Sequence, residues 1–176
     1  LASLLAQHPT INLASGKEVH FFSANWEKGE DWYAAQFSPK PGAEIFLDAS
    51  PSYSIAPLGS HIPPGFRFRD DRLRMPERIA ALRPDARLVY ILRDPIARTY
   101  SSYLHAVRAG YEKRPIETAI LENPEYIFGS LYFEQLCHFL KHFKRESILL
   151  INFHDLQRDP AAVAHRCLKF FGANGE

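Results

Sequence analysis

The chain has little cysteine. Cys137 and Cys167 are its only two, too few for a disulfide framework or a closed zinc site. Both sit inside apolar helical patterns and read as buried thiols. No apolar run approaches the ~20 residues that a membrane-spanning helix needs, and there is no internal repeat and no low-complexity segment. An excess of charge of either sign is also missing. With 21 Lys and Arg against 20 Asp and Glu, the formal net charge is +1. No global field therefore recruits nucleic acid or an acidic membrane surface, and any anion site must be local. Methionine is scarce too: Met75 stands alone, and the chain opens at Leu1 in what reads as the end of a helix. Residues are therefore expected to be missing upstream, with any targeting signal among them. The lack of an N-x-S/T sequon and the scarcity of cysteine point to a cytoplasmic location.

What is present describes a folded unit. The 176 residues are 46% hydrophobic and 13% aromatic, enough for one domain with a real core. Residues 1 to 176 are read as that single domain, truncated at both ends. Apolar runs at 18–22 (EVHFF), 43–48 (AEIFLD), 87–92 (RLVYIL) and 147–153 (SILLINF) predict strands. Helical spacing predicts helices at 1–8, 27–37, 75–84, 94–109, 130–143 and 159–172, with a short one in RPIETAILEN. Most of the proline lies between Pro39 and Pro84, so the stretch from Ser54 to Arg74 is expected to be a long surface loop. Strands alternating with helices predict an α/β layer structure with a mostly parallel sheet. Ligands in such sheets bind beyond the carboxyl ends of the strands.

Two stretches place chemistry there. In LRDPIARTYSSYLH (92–105), Arg93 ends a strand, Asp94 is a helix N-cap and Pro95 takes the first helical position. Free N–H groups and the positive end of the helix dipole then lie beside a guanidinium, with Ser101 about 10 Å further along the axis. That combination suits an anion; the plainer reading pairs Arg93 with Asp94 and turns Ser101 back onto its own helix. In GKEVHFF (16–22), Lys17, Glu18 and His20 flank an apolar run. Glu18 and His20 share a face at strand spacing, as a general base and its helper would; the plainer reading is a surface Lys–Glu pair and a satisfied histidine. The eight histidines form no credible metal cluster. Aromatics Trp26, Trp32, Tyr33, Phe66 and Phe68 suit a sugar groove, although most read as core, and Tyr132 reads as helix packing.

Taken in order, the motifs resemble those of the sulfotransferases that use 3′-phosphoadenosine 5′-phosphosulfate (PAPS), in particular the branch with heparan sulfate sulfotransferases and their bacterial relatives. KEVHFF, KGEDWY, DASPSY, LRDPIARTYSSYLH and LYFEQLCHFLKHFKRESILLINFHDLQRDP are similar to five family segments in the family's order. The resemblance implies a P-loop NTPase-like sulfotransferase fold with a mostly parallel central sheet flanked by helices, incomplete here. It implies that Arg93 and Ser101 hold the nucleotide 3′-phosphate, that Glu18 is the general base, and that Lys17 and His20 stand near the reacting centre. The implied reaction is in-line transfer of a sulfuryl group from PAPS to a hydroxyl or amine of a carbohydrate or small-molecule acceptor, with no metal. The family's 5′-phosphosulfate loop would precede Leu1, and its C-terminal basic loop would follow Glu176. Weak or no activity is therefore expected of these residues by themselves. Ala49 takes the place of a substrate-side lysine, which speaks against a heparan-like polyanionic acceptor. The alternative is a catalytically inactive domain of the same fold that binds a glycan or a protein partner. A nucleotide kinase ranks last, because GKS/T and a magnesium carboxylate are both missing.

Overall fold

Short apolar runs pair as parallel strands, and helices return the chain between them. The computed structural model describes residues 1–16, 18–55 and 74–173. In chain order it has α1 (Ala2–Leu5), β1 (Ile11–Leu13), α2 (Phe21–Ala24), α3 (Gly29–Ala34) and β2 (Ile45–Leu47). There follow α4 (Met75–Leu82), β3 (Leu88–Leu92), α5 (Pro95–Arg108), α6 (Ile116–Glu122) and α7 (Glu125–Phe128). The last elements are α8 (Tyr132–Leu140), β4 (Ile148–Asn152), α9 (Phe153–Arg158) and α10 (Pro160–Phe171). Both pairings are parallel: Ile11 lies opposite Ile45 in β1 and β2, and Leu88 to Leu92 lie opposite Ile148 to Asn152 in β3 and β4. The α/β class is therefore as expected. The described strands form two parallel pairs rather than one continuous sheet.

A shared core joins the pairs. Ile11 from β1 and Ile151 from β4 are both fully buried, in one cluster with Leu5 of α1 and Val163 and Cys167 of α10. A second cluster gathers Phe21, Phe22, Ile79, Phe139, Phe143 and Ile148, with Trp26, Trp32 and Tyr33 packed against it. Those aromatics are core and not an open sugar platform; Phe66 and Phe68 lie outside the described residues. Cys167 is buried as expected, while Cys137 is only half-buried, and both thiols are free.

One sequence expectation is corrected. EVHFF is not a strand: Glu18 to His20 are irregular and Phe21 opens α2. Phe21 and Phe22 are consecutive and both buried, which one turn of helix allows and a half-buried strand, with its alternating faces, does not. The strand of this region is instead Ile11–Leu13, three residues with a polar centre, too short for a periodic signal. Lys40 secures its start by donating to the carbonyls of His8 at 2.9 Å and Ile11 at 2.6 Å.

The helix stops follow local chemistry. Asp94 caps α5 through the Ala97 N–H at 2.7 Å, and Asp159 caps α10 through that of Ala162 at 2.9 Å. Gly172 ends α10 at φ 77°, with the Ala173 N–H reaching back to the Leu168 carbonyl. Beyond α5, Glu112 is 5% exposed and ties the segment after α5 to α7. It accepts from Arg114 Nη2 at 2.6 Å, from Arg114 Nε at 2.8 Å and from the Tyr126 hydroxyl at 3.1 Å.

Hydrogen bonds from the Arg114 side chain, then from its backbone, hold the Glu112 carboxyl far below the usual carboxylate range. Its contribution is present above the unfolded-state pKa of about 4.3 and is lost as pH falls further. Glu112→Gln is expected to lower the melting temperature at neutral pH and to flatten its decline on acidification. Melts across the acid range check this, and parallel profiles for parent and variant would contradict it.

Candidate active site

Each candidate residue follows the carboxyl end of a strand. Glu18 and His20 lie in the segment after β1, Asp48 to Tyr53 follow β2, Arg93 follows β3 and Phe153 follows β4. Parallel pairing puts these ends side by side within each pair, which produces two clusters.

The first cluster joins the ends of β1 and β2. The His20 imidazole Nε2 stands 3.7 Å from Glu18 Oε2, with both side chains about a third exposed. The two residues predicted as base and helper are thus neighbours, although through a turn and not through strand alternation. His20 has φ 53° and ψ 26°, the left-handed conformation, and no other non-glycine described residue has a positive φ. That geometry costs an ordinary side chain about 1–2 kcal/mol, so its surroundings must enforce it. The His20 N–H donates to Ser50 Oγ at 2.8 Å, and His20 Nδ1 lies 2.7 Å from Ser52 Oγ. Ser52 Oγ in turn is 2.7 Å from Ser23 Oγ.

Asp48 anchors this arrangement. Its carboxylate accepts from Ser50 Oγ at 2.5 Å, from the Tyr53 hydroxyl at 2.6 Å and from the Tyr33 hydroxyl at 3.3 Å. Burial first, and the Asp48 charge second, raise both phenols well above the ordinary tyrosine range. They remain protonated donors at any working pH. Asp48 was not singled out from the sequence; the signal passed over was the acceptor among hydroxyls in DASPSY. Lys17 lies outside the described residues.

The second cluster joins the ends of β3 and β4. The Arg93 guanidinium lies 4.9 Å over the Phe153 ring, and its backbone N–H donates to the Tyr132 hydroxyl at 3.2 Å. Arg93 belongs to none of the ion pairs among the described residues, so the plainer pairing with Asp94 is not formed. Ser101 is exposed on α5, and its hydroxyl makes no side-chain bond back to the helix among the described residues. Tyr132, set aside as packing, instead braces the strand end that carries Arg93. Arg98, one turn before Ser101, is half-buried and donates to the Tyr126 carbonyl at 3.3 Å. Burial lowers its pKa, and a β-carbon on Gly129 would collide with its guanidinium. A cleft of about 710 Å³, lined by Tyr33, Phe46, Asp48, Arg83 and Arg87 among others, meets β3 at its amino end. It is therefore distinct from the Arg93 cluster. No group of metal-ligating side chains occurs among the described residues.

Comparison with known proteins identifies the family. The sulfotransferase domain family model matches residues 8–176; the chain belongs to that family. It is 26% identical over 181 residues to heparan sulfate glucosamine 3-O-sulfotransferase 3B1 of Homo sapiens, covering 98% of this chain and 42% of that protein. It is 29% identical over 192 residues to the bifunctional heparan sulfate N-deacetylase/N-sulfotransferase 4 of Mus musculus, covering 96% of this chain and 20% of that protein. Among solved structures, a sulfotransferase from Alicyclobacillus acidocaldarius superposes with a TM-score of 0.76 at 27% identity, covering 96% of this chain and 73% of that one. The chain thus spans less than half the length of the curated relatives it matches. No described helix is long and apolar enough to cross a membrane.

Replacing Asp48 by alanine strips three hydroxyl donors of their acceptor. A loss of about 2–3 kcal/mol in unfolding free energy is expected. Chemical denaturation measures it, and a change below about 0.5 kcal/mol, the range of an ordinary surface substitution, would contradict the anchoring role.

Proposed function

We propose that the chain carries the acceptor-side base and the 3′-phosphate half-site of a PAPS-dependent sulfotransferase. Its acceptor is a hydroxyl or amine on a carbohydrate or other small molecule. The observation that carries the reading is Arg93: a cation without an ion-pair partner among the described residues, set at a strand end beside the capped N-terminus of α5. The α5 N–H groups, the guanidinium and the Ser101 hydroxyl suit a phosphate. Ala49 supplies no cation for a polyanionic acceptor, which favours a less charged one.

When bound, PAPS supplies the sulfuryl group and a bisphosphate leaving group. The chain's own residues position and deprotonate the acceptor. Glu18 takes the proton of the attacking hydroxyl or amine, and His20 lies beside its carboxylate. Arg93 and Ser101 fix the donor by its non-reacting phosphate, so that positioning supplies much of the rate. A cytoplasmic setting belongs to the same proposal.

Titration calorimetry with adenosine 3′,5′-bisphosphate against AMP tests the half-site. The bisphosphate is expected to bind more tightly than AMP. Arg93→Ala should weaken it about 10- to 100-fold, the worth of a charge-assisted phosphate contact, while leaving AMP unaffected. Equal affinities for both nucleotides would overturn the reading. In a chain shown to turn over, Glu18→Gln is expected to keep nucleotide affinity and to lose about 10²- to 10⁴-fold in kcat. Retained turnover would remove Glu18 from the role of base.

A further inference from the structure

The serine pair beside His20 does more than fill space. Ser23 Oγ donates to the His20 carbonyl at 3.2 Å and lies 2.7 Å from Ser52 Oγ. A hydroxyl has one proton to give. With that of Ser23 committed to the carbonyl, Ser23 accepts from Ser52. The Ser52 proton is then spent, and Ser52 accepts in turn from His20 Nδ1 at 2.7 Å. This is the one direction in which all three contacts are hydrogen bonds. Run in reverse, the chain leaves the Ser23 contact to the carbonyl unmade.

We infer that Ser52, seconded by Ser23, fixes His20 as the Nδ1–H tautomer, so that the bare Nε2 faces Glu18 and is the ring atom that exchanges protons with it. Ser52 is then a positioning residue. It acts through His20, whose backbone is separately held by Ser50 on Asp48. The consequence for chemistry deepens the sulfuryl-transfer reading and rests on it. As the acceptor oxygen forms its bond to sulfur, the bond from sulfur to the bridging phosphate oxygen breaks, and its electron pair leaves with the bisphosphate. The acceptor proton passes to Glu18 and, once the two side chains close from 3.7 Å to hydrogen-bond distance, on to the Nε2 lone pair. Glu18 is thereby returned to the carboxylate form, and His20, about a third exposed, gives the proton up to solvent before the next turnover. A histidine in the opposite tautomer has no lone pair on that side and cannot take it.

Nitrogen-15 NMR of the chain labelled in its histidines tests the tautomer without donor, acceptor or turnover. Protonated and bare ring nitrogens resonate far apart, and couplings to the ring C–H protons tell Nδ1 from Nε2. The His20→Gln variant identifies which signals belong to His20. At a pH where the ring is neutral, the Nδ1–H pattern is expected for the parent chain, a shift towards Nε2–H for Ser52→Ala, and recovery of the parent pattern for Ser52→Thr. A predominantly Nε2–H pattern in the parent chain would overturn the inference by itself, even if the alanine variant failed to fold. An unchanged pattern in a folded Ser52→Ala would overturn it as well. Neither outcome bears on nucleotide binding at Arg93, so failure of the tautomer assignment and failure of the sulfotransferase reading are told apart.

Discussion

The Asp48 carboxylate, held by three hydroxyls, is the interaction on which the candidate site depends. One of these hydroxyls, that of Ser50, also receives the His20 N–H. A charge at the end of β2 thus imposes an unfavourable backbone conformation in the segment after β1. The buried phenols bring apolar bulk to the same point, since Tyr33 stacks on Phe21 with ring centroids 4.4 Å apart. Packing and polarity meet there. The aromatic core sets where the hydroxyls are, and the hydroxyls set how the turn at His20 is wound.

At the other strand pair the same task is met with different means. Arg93 is held by its backbone, through Tyr132, and its guanidinium rests on an aromatic face instead of a carboxylate. A ring face keeps a cation in place without neutralising it. That is the better arrangement for a group that must later receive an anion, because no ion pair has to break first. Arg98 is managed in a third way, buried against a glycine with a carbonyl as its partner. Three arginine environments on and beside one helix, including the tight Glu112–Arg114 pair, show how little the formal charge of +1 says about local electrostatics.

Much of this was legible in the sequence where a local rule has one solution. Asp94–Pro95 and Asp159–Pro160 start helices because cap and ring leave the backbone little choice, and Gly172 ends one for the same reason. RLVYIL and SILLINF are strands because continuous β-branched and apolar runs suit parallel pairing. EVHFF was misread because two adjacent phenylalanines and a valine satisfy strand and helix patterns equally over so short a span. The turn at His20 left no trace at all: a left-handed histidine is specified by serines and an aspartate 30 residues away, and a tertiary constraint of that reach has no local signature. Glu18, His20, Arg93 and Ser101 stood out from local spacing and were given roles through family resemblance. The hydroxyl framework around His20 needed coordinates.

The division of the described strands into two parallel pairs has a colloidal consequence. Among the described residues each strand has a neighbour on one side only, so alternate backbone N–H and C=O groups along every described strand point away from the ladder. β2 also presents Phe46 at 56% exposure. Open edges of this kind are adhesive, and a net charge near zero does little to hold identical molecules apart. Whether concentrated solutions of this chain stay clear is therefore governed less by core stability than by what lies along those unpaired edges.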